Sequence, residues 1–105
     1  MTKTQLALLS LTLAAISLAA GPVQANEDLA KKNGCAACHA PAKKVVGPSW
    51  HDVAGKYKGT AGAVDSLADK VKAGGKGVWG NVAMPPQAKV GDADLKAILS
   101  WVLGQ

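Results

Sequence analysis

The sequence predicts an all-α domain of about four short helices, and three observations carry that reading. Apolar residues recur three and four positions apart in four stretches. Gly, Ser and Asp stand where helices start or stop. No run alternates convincingly enough to read as a strand. The first helix spans about Glu27 to Asn33, with Glu27 and Asp28 at its positive end, Lys31 and Lys32 at its other end, and Gly34 to stop it. The second starts near Ser49, where Ser49 and Asp52 form an S-x-x-D capping pattern, and carries Trp50, Val53 and Tyr57 on one side. The third covers about Ala63 to Ala73, with Val64, Leu67 and Val71 on one face and Gly74-Gly75 after it. The fourth runs from about Asp92 to Leu103, its buried stripe being Leu95, Ile98, Leu99 and Val102, with Trp101 close by.

Residues 1–25 read as a cleaved secretory signal peptide and 26–105 as the folded domain. Lys3 opens the leader, an apolar run follows from Leu6 to Ala20, Gly21-Pro22 breaks it, and Ala25 supplies a small residue before the cut. The run is shorter than the ~20 residues a membrane span needs, so no stable membrane insertion is expected. The remaining 80 residues are little chain for a core, and the sequence has no Phe. Domains of this size usually lean on a disulfide, a metal or a cofactor. All twelve basic residues are Lys, and losing Lys3 lowers the formal charge from +5 to +4. Export and the lack of Arg for bidentate base contacts argue against nucleic acid. The positive charge suits acidic protein partners.

The chemistry concentrates in Cys35-Ala36-Ala37-Cys38-His39, a C-x-x-C-H string that reads as a haem attachment site. Each thiol can form a thioether to one porphyrin vinyl group, and His39 then lies beneath the iron as an axial ligand. Three other readings compete. A thioredoxin-like thiol pair needs a βαβ context. A Cys35–Cys38 disulfide leaves His39 unexplained. A zinc site needs about four ligands, and adjacent Cys38 and His39 suit a tetrahedron poorly. The second axial ligand falls to Met84, the only Met after the leader, on a long loop stiffened by Pro85-Pro86. His51 is its rival. Sulfur and imidazole together fill both axial positions, which suits electron transfer and leaves no open position for catalysis.

These residues resemble a known family, the small bacterial class I monohaem cytochromes c that donate electrons to nitrite reductases or terminal oxidases. The resemblance covers essentially all of 26–105. It rests on Gly34 to His39, Val46-Gly47-Pro48, Gly77-Val78-Trp79-Gly80, Met84-Pro85-Pro86 and Trp101-Val102-Leu103. It implies the class I cytochrome c fold, with helices wrapped round one covalently attached haem c in a cleft between the first and last helices. It implies that the Pro48 carbonyl accepts a hydrogen bond from His39, and that Trp79 reaches a haem propionate through its indole N–H. Lys70 stands where several relatives have a propionate-pairing Arg. Ala30 stands where relatives often have Phe, with Tyr57 as a candidate to fill that space. Gln87 stands where relatives often have an Asn whose amide reaches the Met sulfur. Trp101 reads as plain core.

The expected function is that of a monomeric, non-enzymatic one-electron carrier of the periplasm. Its partners would be redox proteins with acidic patches: a nitrite reductase, a terminal oxidase or a cytochrome bc1-type donor. Lys31, Lys32, Lys43 and Lys44 are the expected rim of an exposed haem edge.

Overall fold

A computed structural model describes residues 27–105, and the leader, with its boundary after Ala25, lies outside the described residues. Four helices are present among them: α1 (Glu27–Lys32), α2 (Trp50–Tyr57), α3 (Ala63–Ala73) and α4 (Asp92–Leu103). A single 3₁₀ turn, Cys35–Ala37, follows α1. No strand forms among the described residues; two isolated antiparallel bridges, His39 with Lys44 and Gly75 with Met84, stand in place of a sheet.

Each helix ends for a local reason. At the close of α1, the Leu29 carbonyl accepts from both the Asn33 side-chain Nδ2 (2.9 Å) and the Asn33 backbone N–H (3.2 Å), so Asn33 closes the last turn of the helix. Gly34 then turns the chain at φ 79°, a left-handed conformation that costs Gly little. Ser49 is buried, and its Oγ accepts from the Asp52 N–H (3.0 Å) at the start of α2, a cap worth about 1 kcal/mol. Gly74, at φ 71°, ends α3. Pairings of Lys31 with Glu27, Lys72 with Asp92 and Lys96 with Asp65 decorate the surface. Exposed pairs of this kind contribute a few tenths of a kcal/mol.

The stripe on α4 organises the interior. Leu95, Ile98, Leu99 and Val102 are all buried, as the spacing predicts. Ile98 and Val102 join Ala30, Trp50 and Val53 in one cluster. Leu95 and Leu99 join Leu67, Ala68 and Val90 in a second. Thus α4 is a shared wall, with α1 and α2 on one side and α3 on the other. Tyr57 packs against both clusters, and Ala30 is buried in the first. Trp101 is half-buried and packs against the first cluster, and it meets Trp50 edge-on with ring centroids 6.0 Å apart. Val64 and Val71 are half-buried at the edge of the second cluster.

Leu95 is 2% exposed and sits deep in that wall. Leu95→Ala is expected to destabilise the haem-loaded protein by about 2–5 kcal/mol, read as a lowered midpoint in denaturant with unchanged slope.

Candidate haem-binding site

A cavity of about 650 Å³ opens between the two clusters and the connecting loops, a size typical of ligand pockets. Its walls are largely apolar: Leu67, Leu95, Ile98, Leu99 and Val102 all reach it. The residues picked out by sequence converge there. Cys35, Cys38, His39 and Pro48 line it, and so do Lys70, Trp79 and Met84. His51 does not; it is exposed on α2, with its backbone N–H on the Pro41 carbonyl (3.1 Å).

The segment from 38 to 50 is folded back on itself. The Cys38 carbonyl accepts from the Val46 N–H (3.2 Å) and the Gly47 N–H (2.8 Å), and the Trp50 N–H donates to the Ala40 carbonyl (2.9 Å). That return brings the Pro48 carbonyl 2.7 Å from His39 Nδ1. A carbonyl can only accept, so Nδ1 carries a proton, and in the neutral ring Nε2 is the nitrogen with the lone pair. Gly47 lies against the imidazole so closely that a Cβ there would stand 2.5 Å from His39 Cε1. Trp50 is stacked on the same ring at a centroid distance of 4.4 Å and 17° between planes.

Met84 is positioned by backbone. Its N–H donates to the Gly75 carbonyl (2.8 Å) and its carbonyl accepts from the Gly75 N–H (3.0 Å), just beyond the end of α3. The Gln87 N–H then donates to the Val71 carbonyl (3.0 Å). Gly74 permits this approach, since a Cβ there would lie 2.7 Å from the Met84 carbonyl oxygen. The Gln87 side chain donates to the Pro85 carbonyl (3.0 Å), so its amide braces the loop.

Trp79 is 40% exposed at the cavity rim rather than in the core. Lys56 Nζ lies 5.7 Å from its ring centroid and 5.9 Å from that of Tyr57, while Lys70 Nζ lies 5.8 Å from Tyr57. Of the four expected rim lysines, Lys44 lines the cavity; Lys31, Lys32 and Lys43 are exposed outside its lining. Lys76 lines it as well.

Two competing chemistries fit poorly. Among the described residues no strand forms, so the βαβ setting of a thioredoxin-like thiol pair is missing, and burial pushes the Cys35 thiol up from its ordinary pKa, against a smaller opposing backbone hydrogen bond. Among the described residues no three His, Cys, Asp or Glu gather as metal ligands, short of a structural zinc set.

Residues 23–105 match the family model described as cytochrome c. The chain belongs to the cytochrome c family. It is 54% identical over 91 residues to cytochrome c-552 of Hydrogenobacter thermophilus, covering 87% of this chain and 92% of that one. It is 47% identical over 100 residues to cytochrome c-551 of Pseudomonas aeruginosa, covering 94% and 95%. Among solved structures, wild-type cytochrome c552 of Nitrosomonas europaea superposes with a TM-score of 0.73 at 51% identity, covering 75% of this chain and 98% of that chain. The fold is accordingly all-α and of the class I cytochrome c type. The protein carries one covalently attached haem c with its iron, and it is an electron carrier rather than an enzyme. No helix among the described residues is long and apolar enough to cross a membrane.

The residues present fit that group. The paired thiols, an imidazole with a free Nε2 and an apolar cavity are the donor set and surroundings a c-type haem needs. Sequence reasoning quoted Gly47 only as part of a motif; its contact with His39 needs the folded chain. It missed the Trp50 stack, the approach of Lys56 to the Trp79 ring and Lys76 at the rim. The S-x-x-D cap fixes where α2 starts and places Trp50 at its first turn, but nothing local aims that ring at His39.

Gly47→Ala is expected to destabilise the cytochrome by about 1–3 kcal/mol, since backbone and imidazole must shift. Gly55, within α2, has open space where a Cβ would go. Gly55→Ala is expected to stabilise by about 0.5–1 kcal/mol, and thermal unfolding of the pair separates crowding from helix propensity.

Proposed function

We propose that this cytochrome is a periplasmic one-electron carrier in which His39 and Met84 are the two axial ligands of the haem iron and Cys35 and Cys38 carry its thioether links. The observation that carries this reading is the 2.7 Å contact between His39 Nδ1 and the Pro48 carbonyl, which leaves Nε2 alone to face a metal. When bound, the haem supplies a single-electron couple between ferric and ferrous iron. The Pro48 carbonyl raises the basicity of the imidazole and holds its tautomer. The Met84 thioether is a soft ligand that favours the reduced state. Its main-chain tie to Gly75 holds it at the end of α3, so little need rearrange on electron transfer.

Lys70 and Trp79 are assigned to the haem propionates. Both line the cavity, and Lys70 would act as a point charge where an Arg would act as a fork. Val46, Val78 and Val82 are exposed where they line the cavity mouth, beside Lys44 and Lys76. An apolar patch with a basic rim suits brief docking to an acidic redox protein, of the nitrite reductase, terminal oxidase or cytochrome bc1 kind. The Lys3, Leu6–Ala20 and Ala25 pattern supports cleavage after 25 and export to the periplasm.

Met84→Ala tests the ligand set. The long-wavelength sulfur-to-iron absorption band of the ferric protein is expected to disappear and the midpoint potential to fall by roughly 100 mV or more, within the ~0.8 V that axial ligands span. A band that survives the substitution would remove Met84 from the iron. The steering role of the lysines is tested separately. The bimolecular rate with an acidic redox partner is expected to fall at least about tenfold from low to high salt; a flat salt profile contradicts it.

A further inference from the structure

Trp50 is buried in the first core cluster, yet its placement is more specific than filling requires. One indole face lies on the His39 imidazole, with centroids 4.4 Å apart and planes 17° from parallel. The indole is itself held, because its edge meets Trp101 at 72°. The imidazole is therefore engaged in three ways: Nδ1 by the Pro48 carbonyl, its Cε1 side by the Gly47 backbone, and its face by Trp50. It cannot turn about its Cβ–Cγ bond without breaking the hydrogen bond or leaving the stack.

We propose that Trp50 is a positioning residue for the redox centre, fixing the plane of the His39 imidazole and stabilising positive charge on that ring. The inference rests on the reading of His39 as an axial ligand. An aromatic face carries negative potential and attracts positive charge above it. An imidazole that shares its lone pair with iron is more positive when the iron is ferric. The indole face therefore favours the oxidised state, and an aliphatic residue of similar bulk would not.

Holoprotein carrying Trp50→Leu is compared with Trp50→Phe by midpoint potential and by the haem methyl proton shifts of the ferric form. Trp50→Leu is expected to move the redox equilibrium roughly two- to fivefold toward ferrous, a rise of about 18 to 41 mV at 59 mV per tenfold, and to change the methyl shift pattern. Trp50→Phe keeps a ring and recovers most of both. Lost packing alone would lower unfolding stability in both variants and leave the two readouts in place. Wild-type potential and methyl pattern in Trp50→Leu overturn the proposal. If that variant loads no haem, the ferrous wild type decides: through-space NMR contacts between the indole and His39 ring protons support the stack, and their absence overturns it. Failure of the ligand reading is distinct. It shows as His39 ring protons lacking the large upfield shift imposed on an axial ligand, whether or not Trp50 is stacked.

Discussion

The apolar interior of this domain is divided by a cavity, and every helix except the first is placed by the need to line both sides of that division. Leu67, Leu95, Ile98, Leu99 and Val102 belong to the packed clusters and to the cavity wall at once. They bury one side against other helices and offer another to the haem. A chain with so few large apolar residues has little else to close over. The porphyrin is therefore a structural component as well as the redox group, since the area it covers would otherwise be apolar wall in contact with water.

Around that plate the chain uses two different devices to hold its candidate ligands. On the His39 side the segment from 38 to 50 folds back, so that main-chain hydrogen bonds to Cys38 and Ala40 deliver the Pro48 carbonyl and the Trp50 ring to the imidazole. On the Met84 side the control is a two-bond bridge to Gly75. In both places a glycine is present because a neighbouring group occupies the space of a side chain: the His39 ring at Gly47 and the Met84 carbonyl at Gly74.

Much of this was legible in the sequence, because the signals were local. Four helices follow from apolar spacing and from caps such as Ser49, and their observed bounds agree with the reading to within a residue. The C-x-x-C-H string names its chemistry by spacing alone, and Met84 stood out for want of another Met in the domain. What was not legible depends on chain return. The stacking of Trp50 on His39 needs the backbone path from 38 to 50. The placement of Lys56 between the Tyr57 and Trp79 rings joins α2 to a loop more than twenty positions away. The turning of Gln87 to the Pro85 carbonyl is a rotamer choice no pattern encodes. Rim lysines were guessed by proximity in sequence to the haem motif; Lys76 lies at the mouth because its loop crosses there.

The Gly75–Met84 bridge also bears on how such a protein can diversify. It closes a hairpin-like segment whose ends are tied together by main chain alone, and the residues between, from Lys76 to Ala83, are exposed. Apart from Trp79, which is assigned to a haem propionate, and Gly77 and Gly80, whose φ angles are positive, side chains in that segment can be exchanged without disturbing the two hydrogen bonds at its base. Recognition of a new redox partner and the electronic character of the metal centre are thereby separable traits, open to change one at a time.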